Sequence, residues 1–134
     1  LDTEYKKFVN GDGTKVSGRR LKHAPTFSSN LGVQYSIPIP HHGIVRIRGE
    51  HQYQSRTYFT ETNEKVLSRD DFHNLNARLG YDTEDGRCSV SLFVNNLTDV
   101  ESINSAVDFQ SSLGTVNQSY NAPRTYGIEC IFRF

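Results

Sequence analysis

The 134-residue chain has no methionine, only two cysteines and four prolines, and no excess of either charge, with Lys plus Arg and Asp plus Glu at 15 each. Each shortage excludes something. Without a methionine the chain does not start at its own start codon, and no secretory signal opens it, so the expectation is a mature form or a piece of a longer protein. Cys88 and Cys130 are too few for a disulfide framework and too far apart for a zinc site, which leaves them as small apolar filler. A formal net charge of zero supplies no field to recruit nucleic acid or an anionic membrane surface. The longest apolar runs are Leu92-Phe93-Val94 and Cys130-Ile131-Phe132, which excludes a membrane-spanning helix. Hydrophobic residues make up 35% of the chain, below the roughly 45–50% apolar content of an ordinary globular domain even with Gly counted in and Tyr left out. Yet 7 Tyr and 8 Phe argue against disorder. The chain has structure but little core.

What is present is alternation. From Thr26 to Ile37, Phe27, Leu31, Val33, Tyr35 and Ile37 take odd positions and Ser28, Asn30, Gly32, Gln34 and Ser36 even ones, a period of two that a helix cannot satisfy. Phe72 to Tyr81 sets Leu75, Ala77, Leu79 and Tyr81 against Asn74, Asn76, Arg78 and Gly80. Cys88 to Leu97 sets Cys88, Val90, Leu92 and Val94 against Ser89, Ser91 and Asn95, and the closing segment sets Tyr126, Ile128, Cys130, Phe132 and Phe134 against Glu129 and Arg133. Ile44 to Phe59 reads as one longer strand with Arg46, Arg48, Glu50, Gln52, Gln54 and Arg56 on its even face. Its odd face mixes Val45, Ile47, Tyr53 and Phe59 with Gly49, His51 and Ser55, so its facing stays open. A short strand is expected over Tyr5 to Val9. No segment carries a convincing helical stripe, and the fold class is all-β with about six antiparallel strands.

The connections alternate in length. Segments 10–25, 60–71 and 98–123 are long, whereas 38–43 and 82–87 are short and carry Pro38, Pro40 and Gly43, or Asp85-Gly86. A soluble sandwich has no reason to collect its long loops at one end, but an outer-membrane barrel does. Aromatic pairs bracket the strands as well: Phe27 and Tyr35, Phe72 and Tyr81, Tyr126 and Phe134. At ~3.3 Å per residue these separations span roughly 26–30 Å. A tilt near 40° reduces that to roughly 20–23 Å along the membrane normal, close to the ~25 Å apolar band between aromatic girdles. The polar faces then line a wet lumen.

Four stretches resemble the C-terminal end of a TonB-dependent outer-membrane receptor of the siderophore-receptor type. They are Gly18-Arg19-Arg20-Leu21-Lys22-His23-Ala24-Pro25 followed by Phe27, Leu75-Asn76-Ala77-Arg78-Leu79-Gly80-Tyr81, Phe93-Val94-Asn95-Asn96-Leu97-Thr98-Asp99, and Pro123-Arg124-Thr125-Tyr126-Gly127 running on to Arg133-Phe134. The resemblance covers most of the chain and implies a 22-stranded transmembrane barrel around an N-terminal plug. Residues 1–134 would be its C-terminal segment, without plug, earlier strands or the segment (the TonB box) that engages TonB. It also implies localisation in the bacterial outer membrane, contact with outer-membrane lipid, a ferric siderophore or similar scarce nutrient as ligand, and no nucleic-acid partner. In such receptors a C-terminal aromatic is read by the barrel-assembly machinery, which gives Phe134 an assembly role beside the girdle role it shares with Tyr126 and Phe132.

The candidate lumen-facing residues are Arg46, Arg48, Arg56 and Arg78. Two roles are open to them: pairing with Glu50 and plug carboxylates, or attracting anionic ferric chelates. His41-His42, His51 and His23 suggest a metal site only weakly, because adjacent side chains diverge and ligands must converge. Asp70-Asp71, Glu61 and Glu64 lack the glycine-spaced pattern of a calcium loop and read as solvated loop charge. The glycosylation sequons at Asn96 and Asn117 read as chance. No nucleophile motif or phosphate-binding glycine loop is present, so no enzyme activity, cofactor or metal is expected. The leading reading is a receptor segment for active transport; the rivals are a soluble β-sheet module that binds carbohydrate or another small ligand, and an enzyme domain using the acidic loop. Segment 98–123 is expected to be a long external loop with ligand or plug contacts.

Overall fold

The computed structural model describes every residue except Asp12, and of Ser111 the backbone alone. Its strands are β1 (Ser28–Ile39), β2 (Gly43–Gln54), β3 (Thr57–Tyr58), β4 (Ser68–Arg69), β5 (Phe72–Thr83), β6 (Cys88–Asn95), β7 (Ile103–Phe109), β8 (Thr115–Tyr120) and β9 (Thr125–Phe132), with a short helix α1 (Gln110–Leu113) between β7 and β8. The residues cluster into two units: Leu1–Ser29, Tyr53–Phe72 and Glu101–Asn121 in one, Asn30–Gln52, His73–Val100 and Ala122–Phe134 in the other.

The second unit is a five-stranded sheet in the order β1-β2-β5-β6-β9. Registers fix which side chains share a face. Leu79, Leu92 and Ile128 stand in one row across β5, β6 and β9, as do Ala77, Val94 and Tyr126, and Tyr81, Val90 and Cys130. The rows between them are Gly80, Ser91 and Glu129, then Asp82, Ser89 and Ile131, then Arg78, Phe93 and Gly127. Because side chains alternate across a strand, one face is nearly all apolar and the other mostly polar. The apolar face is open: Leu31, Val33 and Tyr35 on β1 are 63%, 64% and 66% exposed.

The turns explain the strand order. Pro40-His41-His42 joins β1 to β2, with His41 at a φ of 62° and Gly43 at 134°. A Cβ on Gly43 would lie 1.9 Å from the Asp82 carbonyl oxygen, so only glycine lets β2 start this close to the end of β5. In the β5–β6 turn the Asp85 carboxylate accepts from the Thr83 hydroxyl at 2.7 Å and the Arg87 N–H at 3.1 Å, and Gly86 takes a φ of 68°.

The motif Asn96-Leu97-Thr98-Asp99 closes the sheet unit after β6. Asn96 is buried at a φ of 52°, a conformation that Asn tolerates better than most residues. Its amide donates to the carbonyls of Val100 (3.1 Å) and Ala122 (3.2 Å), and its oxygen accepts from the Val100 N–H at 2.9 Å. Its own N–H donates to Asn76 Oδ1 at 3.0 Å. Asp99 accepts from the Arg124 N–H at 2.9 Å, while the Arg124 guanidinium donates to the Leu97 carbonyl at 3.3 Å. One side chain therefore ties together Val100 and Ala122, the residues flanking the 101–121 excursion.

The first unit holds every buried hydrophobic side chain among the described residues: Val16, Phe59, Leu67 and Phe72. β3 pairs with β4 (Thr57 opposite Arg69), and β7 with β8 through α1. Lys22 and Glu61 form an ion pair at 2.6 Å that raises the lysine and lowers the carboxyl from their ordinary values.

Several sequence expectations need correction here. Tyr5 to Val9 is no strand; it contributes only at its margins, where Glu4 bridges Arg20 and Val9 bridges Lys15. The long strand to Phe59 stops at Gln54: Ser55 still donates its N–H to the Phe27 carbonyl at 2.9 Å, but Thr57 and Tyr58 pair with β4 in a separate two-stranded sheet. Segment 98–123, expected only as a long loop, carries the β7–β8 hairpin. The main sheet accordingly has five long strands, the remainder being short pairs.

Replacing Asn96 separates two contributions. We expect Asn96→Gly to lose the side-chain hydrogen bonds alone, about 1–3 kcal/mol, and Asn96→Ala to lose about 1–2 kcal/mol more through left-handed strain. Urea unfolding measures both; equal losses would remove the strain component.

Candidate functional site

The polar face of the sheet unit encloses an open cavity of about 770 Å3. Arg46 and Arg48 reach it from β2, Arg78 and Asp82 from β5, Ser91 and Phe93 from β6, and Glu129 and Arg133 from β9 or just beyond it. The even face of β2 thus points the same way as the polar rows of its neighbours, with His51 on the opposite face, which settles the facing that the mixed sequence left open.

Charge in the cavity is matched locally. Arg46 is paired with Asp82, and Arg78 with Glu129. Arg48 donates through Nε to Glu50 at 2.7 Å. Arg78 also donates to the Ser91 hydroxyl at 2.8 Å, so its side chain crosses β6 to reach an acid two strands away. Arg133 donates instead to the Gly86 carbonyl at 2.9 Å and has no carboxylate partner among the described residues. These groups are roughly half exposed, and such pairs contribute only about 0–1 kcal/mol each. Their effect is on the cavity's field: close acid–base pairs leave a lining of dipoles with one surplus cation near the β5–β6 turn.

One apolar contact interrupts this lining. Phe93 lies over Gly127, where a Cβ would approach its ring to 2.8 Å. The glycine in Thr125-Tyr126-Gly127 makes room for that ring, as a ring covering a strand glycine does elsewhere in β-sheets.

Of the sequence candidates, Arg46, Arg48 and Arg78 meet at this cavity. Arg56 does not: it lies in the first unit, bonded through Nε to Asp70 at 2.9 Å. Tyr126 and Phe132 occupy the two ends of β9 on the face away from the cavity and are 81% and 64% exposed; Phe134 follows the strand, fully exposed. The acidic loop residues are engaged individually, Asp70 by Arg56, Asp71 by the Tyr53 hydroxyl at 3.3 Å and Glu61 by Lys22. His42 Nδ1 bonds the Pro40 carbonyl of its own turn. No group of three or more metal-ligating side chains is assembled among the described residues. Sequence reading missed Asp82, Glu129 and Arg133 as cavity groups and His73 as a neighbour of His51; strand register was the signal that would have found the first two.

Comparison with known proteins bears on this sheet. No family model matches the chain. Among solved structures it is similar to the ferric yersiniabactin uptake receptor FyuA of Yersinia pestis, with a TM-score of 0.77 and 22% identity over 89% of this chain and 18% of that one. It is also similar to BauA, the ferric preacinetobactin receptor of Acinetobacter baumannii, with a TM-score of 0.63 and 22% identity over 87% of this chain and 16% of that one. The chain shares their fold. It spans less than a fifth of either receptor's length. The all-β antiparallel fold expected from the sequence is thus the fold that this chain shares with a segment of these two receptors.

Two outcomes follow. Gly127→Val drives two methyls into the Phe93 ring, and we expect a loss of about 1–3 kcal/mol in urea unfolding, partly recovered by adding Phe93→Ala. The Asp85 carboxyl is held below its ordinary value by the Thr83 hydroxyl and the Arg87 N–H. A lowered folded value adds stability above the ordinary carboxylate range and loses it as pH falls through the lowered value. Asp85→Asn keeps the acceptor without the titration, so it should flatten that acid limb; an unchanged pH profile would show that the turn does not contribute.

Proposed function

We propose that this chain is part of the wall of an outer-membrane barrel, the C-terminal segment of a 22-stranded TonB-dependent receptor that takes up a ferric siderophore. The observation that carries the reading is the exposed apolar face. Across β5, β6 and β9, the row of Leu79, Leu92 and Ile128 is 45%, 48% and 69% exposed, with no protein over it. A soluble binding module would bury such rows, whereas a barrel turns them to lipid and the polar rows to its lumen. The fold likeness to two ferric-siderophore receptors supports the same reading.

In this reading residues 1–134 supply barrel wall and loops, while plug and TonB-engaging segment lie elsewhere in the full-length protein. Ligand would be captured by loops and lumen and released inward when TonB moves the plug. Arg46, Arg48 and Arg78, already paired with acids of the same sheet, act chiefly as a neutralised lining that faces plug and ligand. Arg56 belongs with the loops. Tyr126 and Phe132 form girdle positions, and Phe134 adds the signal recognised by the barrel-assembly machinery. The role is transport, without catalysis.

Thiol labelling tests the placement. With Cys88 and Cys130 replaced by serine in the full-length protein, Ser91→Cys should react with a water-soluble maleimide in intact outer membranes, and Ile128→Cys only after detergent extraction. Equal labelling of both before extraction would favour the soluble module. The transport claim is tested separately by uptake of radiolabelled iron supplied as ferric siderophores, which should fall in a strain lacking the gene and return with it.

A further inference from the structure

His51 on β2 and His73 on β5 meet on the sheet face opposite the cavity. Their ring centroids are 5.5 Å apart with planes at 30°, and His51 Nε2 lies 3.3 Å from His73 Nδ1. The strands are neighbours in the sheet, so the backbone fixes this approach. His51 is half-buried and His73 exposed, each near the end of its strand where segment 55–71 leaves the sheet.

We propose that His51 and His73 chelate a borderline divalent cation, of the Cu2+, Ni2+ or Zn2+ class. Two imidazole nitrogens bound at ~2.0–2.1 Å with a tetrahedral angle are roughly 3.3–3.4 Å apart, which is the separation found here. A small rotation of each ring turns both lone pairs to a shared metal while the Cα positions stay in place. Imidazole suits these borderline ions, and Cu2+ binds most tightly of the series. Hard ferric ion bound by siderophore oxygen is a different chemistry, so the site is separate from the transported cargo. No third His, Cys, Asp or Glu completes a cluster among the described residues, which leaves the other coordination positions to water or an external ligand. A bound ion would tie β2 to β5 at the root of the segment between them. The proposal rests on the contact geometry and stands or falls independently of the transport reading.

The test is Cu2+ titration of the full-length gene product in detergent, followed by calorimetry and by the nitrogen splitting in the Cu2+ electron paramagnetic resonance spectrum. Wild type should hold one ion with two coordinated nitrogens from this pair. H51Q and H73Q should each weaken it by about tenfold or more, since either change leaves a single tether, and H41Q/H42Q should leave it unchanged. Cu2+ should also protect both imidazoles of the unmutated protein from carbethoxylation, a measurement that needs no variant to fold. Wild-type affinity in H51Q and H73Q, or no protection of His51 and His73, would overturn the site.

Discussion

The five-stranded sheet has two faces and no core of its own. Among the described residues every buried hydrophobic side chain belongs to the loop-rich unit, while the apolar rows of the sheet unit are half-buried or exposed. Covering a large aliphatic side chain is worth about 1.5–3 kcal/mol, so a sheet that buries none of its apolar rows fully gains little from packing on itself. The alternation, the open turns and the small hydrophobic fraction of the chain all follow from that constraint. A sheet placed between an apolar medium and a wet interior needs one apolar residue in two along each strand, and little more.

The same constraint decided what could be read in advance. Strands β1, β5, β6 and β9 were legible because each carries one apolar face and one polar face, which writes a clean period of two into the sequence. β7 and β8 were not. They lie in an exposed hairpin where Asn104, Asp108, Asn117 and Ser119 stand among Ile103, Val107 and Val116 with no medium to sort them. The end of β2 was misread for a different reason: Thr57 and Tyr58 carry on the extended chain but pair with β4 instead of the main sheet, a change of partner that hydrophobic period does not record. Arginines on the polar face were legible singly, but their partners were not. Arg78 reaches Glu129 across an intervening strand, and only the register of β5, β6 and β9 places that acid within range.

Register also explains why the late motif is polar. The chain must leave the sheet after Val100 and return at Ala122 in phase, since a slip of one residue would turn Tyr126 and Ile128 into the cavity and Glu129 out of it. Apolar contacts cannot supply that phase where the sheet is uncovered. Directional bonds can: Asn96 grips the carbonyls on both sides of the excursion, and Asp99 fixes the backbone of Arg124 just ahead of β9. Hydrogen-bond geometry takes over the task that a packed core performs in a globular domain.

That division of labour has a consequence for the excursion itself. Val100 and Ala122 are held to one amide group, which ties the two ends of the excursion to the end of β6. The pairs Leu92–Ile128 and Phe93–Gly127 lie within β6 and β9, and the β7–β8 hairpin pairs only within itself. A sheet whose phase is set by short polar clamps can keep its register while segments that leave and return through those clamps differ in sequence. The cavity and the loops are then separable problems for the sequence, the first solved by alternation and register, the second by the small core around Val16, Phe59, Leu67 and Phe72.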